Sequence, residues 1–167
     1  MNPRSFHSAR ASVIAVLRGK PYAVAEVAGS AAYKDITGAV LFYQTHAGVL
    51  VFTEVMGLPG SDTPCGGRIF GFHIHEGPAC GGSSADPFAE AMSHYDPNGC
   101  PHPFHAGDLP PLFGSGGSAL SIFLTDRFTI SNVIGKTVII HDSPDDFSTQ
   151  PSGDSGEKIA CGVIRRS

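Results

Sequence analysis

An all-β chain folded as an antiparallel Greek-key barrel or sandwich is what this sequence predicts, and three observations carry it. Short runs rich in Val, Ile, Phe and Tyr recur between clusters of Gly, Pro, Ser and Asp. Gly and Pro supply 21 and 13 of the 167 residues, a share that favours turns over long helices. Two connections, 76–118 and 142–159, hold 43 and 18 residues, and loops of that length in a compact domain are usually functional or tied down.

The candidate strands, in order, are 22–28, 37–44, 49–56, 68–75, 119–125, 137–141 and 160–165. Alternation is plain in 119–125, where Leu120, Ile122 and Leu124 share one face and Ser121 and Thr125 the other. Seven strands with short links and two long functional loops describe a Greek-key barrel or an immunoglobulin-like sandwich. Ahead of them, 8–18 reads as a short helix: Ser8 is the N-cap, Val13, Ile14 and Leu17 share a face, and Gly19 and Pro21 stop it. The same run could also be a strand. Residues 1–21 are therefore an N-terminal extension and 22–167 one barrel domain.

With 41% hydrophobic and 16% charged residues, the chain reads as a soluble globular protein. A net charge of −4 and the lack of a Lys/Arg run argue against nucleic acid. No run approaches the 18 apolar residues of a membrane span, so no membrane partner is expected. The short apolar run 13–17 is broken by Arg18 and Lys20, unlike a secretory signal, so the cytoplasm is the default location. Against that stand four cysteines, Cys65, Cys80, Cys100 and Cys161. An even count suggests two disulfides in one of three connectivities and an oxidising compartment, which makes export the alternative.

The chemistry lies in the histidines. Of eight, six cluster: His73, His75, His94, His102, His105 and His141. His7 and His46 read as ordinary surface or core residues. In the strand 68–75, side-chain alternation puts Phe70, Phe72 and Ile74 on one face and Gly71, His73 and His75 on the other. The two imidazoles then stand about 7 Å apart, able to chelate one metal. In 137–141, Val138 and Ile140 share a face and His141 falls opposite, giving the same parity at a second strand end. The first long loop adds His94, His102, His105 and Asp108. Three imidazoles and a carboxylate suit tetrahedral Zn(II), and copper likewise favours imidazole.

Four segments carry a resemblance: GFHIHEGPAC (71–80), HYDPNGCPHPFHAGDLPPLF (94–113), GKTVIIHDSPDDF (135–147) and GEKIACGVI (156–164). Together they resemble the copper/zinc superoxide dismutase family from about Ala23 to Ile164, and the GDLPPL stretch is more similar to its bacterial members. The resemblance implies one copper ion held by His73, His75, His94 and His141. It implies one zinc ion held by His94, His102, His105 and Asp108, with His94 bridging the two. It further implies that Asp145 links His73 to His102 behind the metals and that Cys80 pairs with Cys161. Cys65 and Cys100 are expected to form a further pair unlike many relatives.

Two departures from the family pattern stand out. Only two residues separate His102 from His105, fewer than usual. Lys158 stands where the family has its active-site arginine, keeping the positive charge but losing the bidentate fork. What the resemblance implies is dismutation of superoxide, with His94 and Lys158 as catalytic residues and superoxide as the partner. The alternative is a copper/zinc store or donor with little turnover, favoured only by Lys158. A homodimer is a candidate assembly.

Overall fold

The computed structural model describes residues 13–61 and 68–167. Nine strands follow in chain order: β1 Ala23–Gly29, β2 Thr37–Thr45, β3 Gly48–Met56, β4 Ile69–Phe70, β5 Phe72–His75, β6 Leu112–Phe113, β7 Ser118–Thr125, β8 Thr137–His141 and β9 Lys158–Arg166. All seven expected strands are present. The run 68–75 is split at Gly71 into β4 and β5, and the two-residue β6 was not anticipated, being too short to leave a periodic signal. Residues 13–18 are helical, in agreement with the end of the helix expected over 8–18, whose first part lies outside the described residues. His7 and Cys65 lie outside them too, and His46 is exposed in the two-residue turn between β2 and β3.

The main sheet is antiparallel with strand order β5-β8-β9-β1-β2-β3-β7, and β4 pairs with β6 separately. β1, β2 and β3 form a meander, and the last strand returns to lie beside the first, which is the Greek-key connection. Closure comes from the split strand. β5 pairs with β8 at one edge, while β4 pairs with β6, which turns through the Ser115–Ser118 bridge into β7 at the other edge. One extended run thus serves both edges, and the sheet curls on itself, leaving little edge free.

Inside are Phe42, Phe70, Phe72, Ile74, Ile140 and Ile164, all fully buried. Truncating a phenylalanine in such a core costs about 3–5 kcal/mol. β7 shows what alternation leaves open. Leu120, Ile122 and Leu124 do share a face, but it is the outer one, and they are 63%, 42% and 51% exposed. Register with β3 decides the side, because directly opposed residues point the same way. Val55 and Val51 face inward and oppose Ala119 and Phe123, so those two turn in and the three aliphatics turn out.

The long loop after β5 is pinned to the outer face of the sheet. Phe88 and Ala91 pack on Ile139 of β8 and Cys161 of β9, next to Cys80. Cys80 and Cys161 are disulfide-bonded with Cα atoms 5.7 Å apart, as the resemblance implied.

Candidate metal centre

β5 delivers two histidines to one side. Phe72 and Ile74 enter the core, and the opposite parity places His73 and His75 on the outer face with ring centroids 6.3 Å apart. β8 runs antiparallel beside it, and after the register shift at Ile140/His141 its last residue joins them. His141 Nε2 lies 3.3 Å from His75 Nε2. On the other flank of β5, bridges pair His75 with His94 and His73 with Asp108, bringing two loop segments alongside. Gly107 makes that approach possible: a Cβ there would lie 2.3 Å from the Ile74 carbonyl oxygen. All of these histidines end up buried, because the two long loops cover the outer face.

Two groups of donor atoms result, each with its atoms within 4.8 Å of one another: His73, His75, His94 and His141, and His94, His102, His105 and Asp108. The two sets coincide with the sets implied by the resemblance, and His94 belongs to both.

The outer bonds choose which nitrogen each ring presents. His75 Nδ1 donates to the Met92 carbonyl at 2.9 Å and His141 Nδ1 to the Gly156 carbonyl at 3.2 Å, which turns both Nε2 atoms inward. His73 and His102 are turned the other way. Their Nε2 atoms donate to Asp145 Oδ2 and Oδ1 at 2.7 and 2.9 Å, so one carboxylate joins the two groups and leaves both Nδ1 atoms facing in. His94 Nδ1 is 2.8 Å from Asp108 Oδ1. Among the described residues, His73 Nδ1, His94 Nε2 and His102 Nδ1 are buried with no hydrogen-bond partner. His102 Nδ1 is 3.1 Å from Asp108 Oδ2 but not aligned to bond it. A buried lone pair without a partner is costly, and a divalent cation in each group would satisfy it. The donors therefore fit metal ions.

Charge state agrees. Burial, then the neighbouring His73, His94 and Lys158 charges, holds His141 down to about 3. Burial followed by His141 and His94 puts His75 well below 6.5, and burial lowers His73 as well. These rings are neutral at pH 7, as metal ligation requires. Burial works to raise Asp108, but the hydrogen bond and charge of His94, with His105 and His102, outweigh it and lower its pKa. For Asp145, too, burial is overcome, here by bonds from His73, the Phe147 N–H and His102, which hold it well below the usual carboxylate range.

Several supporting residues escaped the sequence reading. Gln150 clasps the His102 backbone, accepting from its N–H at 3.0 Å and donating to its carbonyl at 2.7 Å. Arg127, just past β7, donates to the carbonyls of Pro103, His105 and Asp108 at 3.1–3.3 Å. Gly153 has φ +68°, and a Cβ on it would lie 2.1 Å from Asp145 Oδ1 and 2.7 Å from His102 Nε2. With these supports the short 102–105 spacing still brings both imidazoles to Asp108: His105 Nδ1 lies 3.2 Å from Oδ1. Lys158 opposes His141 across β8 and β9, and its ammonium donates to the Phe88 carbonyl at 3.1 Å. Cys100 is half-buried and forms no disulfide with another described residue.

The copper/zinc superoxide dismutase (SODC) family model matches residues 36–164. The chain belongs to this family. Among curated relatives, it is 36% identical to the Cu-Zn superoxide dismutase of Legionella pneumophila over 136 residues, 77% of each chain. It is 34% identical to that of Deinococcus radiodurans over 148 residues, 78% of each. With Cu-Zn superoxide dismutase 2 of Aquifex aeolicus it shares 31% over 146 residues, 78% of this chain and 80% of the relative.

Proposed function

We propose that this chain dismutates superoxide, with His73, His75, His94 and His141 holding copper and His94, His102, His105 and Asp108 holding zinc. The observation that carries this is His94, common to two buried donor groups, with Nδ1 beside Asp108 and Nε2 otherwise unpartnered. Copper bound there supplies one-electron redox chemistry, by which two superoxide ions and two protons become dioxygen and hydrogen peroxide. His94 Nε2 can alternate between a lone pair and an N–H while Nδ1 stays engaged beside Asp108. That makes it the proton carrier for peroxide. Asp145 fixes the rings of His73 and His102 from behind, so the metal-side geometry persists while His94 changes state. Lys158, on the strand beside His141, supplies the positive charge that draws in a small anion.

The Cys80–Cys161 bond suits an oxidising compartment, which supports export. Among the described residues, no helix is long and apolar enough to cross a membrane. The Cys65–Cys100 pair belongs to the same proposal, and peptide mapping without reductant decides it.

One observation favours the second reading, a copper/zinc store or donor: Lys158 lacks the fork of an arginine and its ammonium already has protein partners. Metal analysis of the purified chain alongside superoxide consumption separates the two. One copper and one zinc per chain with metal-dependent consumption supports the dismutase. The same metal content with negligible consumption supports the store.

A further inference from the structure

Lys158 has a second partner besides the Phe88 carbonyl. Asp86 Oδ1 lies 3.5 Å from its Nζ, and the two side chains are 54% and 19% exposed. The carboxylate is not there by a chance swing of a free loop. Ser83 N–H donates to the Asp86 carbonyl at 2.9 Å, and the Ser83 hydroxyl accepts from the N–H groups of Ala85 and Asp86 at 3.2 Å. Gly82 lets this turn close, since a Cβ there would sit 2.2 Å from the Asp86 carbonyl oxygen. The turn lies between Cys80 and Phe88, and both are fastened to β8 and β9: Cys80 through its bond to Cys161, three residues beyond Lys158, and Phe88 through Ile139.

An ammonium has three donors. Phe88 takes one, Asp86 attracts another, and one is left for an incoming anion. An arginine in the same place would have five, so the chain's lysine has fewer donors to divide between its protein partners and an anion. We propose that Asp86 is a specificity-determining residue that competes with the anionic substrate for Lys158, weakening capture of small anions at the copper group. This rests on the reading of Lys158 as the cation that faces the substrate. Exposed carboxylate–ammonium pairs are weak and screened by salt, so the effect belongs to low ionic strength.

The test is azide titration of the copper- and zinc-loaded protein, followed by the azide-to-copper charge-transfer absorption, at low and at high salt. Asp86→Asn should tighten azide binding by roughly two- to fivefold at low salt, the range expected for freeing one exposed pair, and the gain should shrink at high salt. In the Lys158→Gln background the same substitution should do nothing, which a double-mutant cycle makes explicit. Glu54→Gln makes the same charge change on the outer face of β3, where it is exposed, and should leave the affinity at the parent value. Unchanged or weaker binding in Asp86→Asn, a gain that survives loss of Lys158, or an equal gain from Glu54→Gln overturns the proposal. If Lys158→Gln binds azide as the parent does, the role of Lys158 falls and Asp86 with it. Superoxide consumption by the loaded parent reports separately on the dismutase reading.

Discussion

The two donor groups are built differently although they share His94. Three members of the first, His73, His75 and His141, stand on β5 and β8, whose register is set by a ladder of backbone bonds over a core of Phe72, Val138 and Ile140. The second has no strand residue at all. His102, His105 and Asp108 lie in the long loop, and their places are held by side chains from elsewhere: Asp145, Gln150 and Arg127. A site on a sheet inherits the stability of the sheet, whereas a site on a loop is only as firm as its outer bonds and the ion it binds.

Direct ligand removal gives the sharpest break. His141→Ala should abolish tight copper binding and leave zinc nearly unchanged, and Asp108→Ala should do the reverse. Elemental analysis and chelator competition read both, and loss of both metals in either variant would mean that the groups are not separable.

Next in size is Asp145→Ala, which frees His73 and His102 together. Zinc affinity should fall by roughly 10–100-fold, and copper affinity by less, because two of its strand ligands, His75 and His141, are oriented by backbone carbonyls instead. Equal losses on the two sides would erase the contrast drawn above.

Acid should act on the strand group of the metal-free protein. His141, at about 3, and His75 both lie below their unfolded value of 6.5. The unfolded chain therefore takes up protons first as pH falls, and stability declines from about pH 6.5 toward 3. Each imidazole contributes up to about 1.4 kcal/mol per pH unit in that window. Thermal melting of the metal-free chain between pH 7 and 4 measures it, and a flat midpoint would show that these rings are not buried in the neutral form.

Arg127→Ala should give the smallest effect. It removes three long bonds to loop carbonyls at an exposed side chain, so zinc affinity should fall only a few-fold, roughly 1 kcal/mol, with copper unaffected. A loss as large as that of Asp145→Ala would mean that the loop hangs on Arg127 rather than on the buried carboxylate.

Both halves of this contrast were partly legible beforehand. His73 and His75 two apart on a strand, and His141 opposite the core parity, follow from pleat geometry within five to eight residues. The loop ligands were recognisable as residue types suited to zinc, and their division into two sets came from the family resemblance. Of the supports, Asp145 came from the resemblance as well, and Gln150 and Arg127 could not be read. Gln150 and His102 are 48 residues apart, and Arg127 and Asp108 are 19 apart with β6 and β7 between them.

Residue alternation therefore determined, without any structure, that Phe72 and His73 face opposite ways and that Leu120, Ile122 and Leu124 share a side, and residue type determined which side chains could ligate a metal. These are local properties of a pleated strand and of side-chain chemistry. Tertiary structure decided the rest. The register of β7 against β3 sent the Leu120 row outward. The closing of the two loops over β5 and β8 chose Nδ1 or Nε2 for His73, His75, His102 and His141 through Asp145, Met92 and Gly156, and set Asp86 beside Lys158. Periodicity specifies the direction of a side chain relative to its own strand. Only the pairing of distant segments specifies what it then meets.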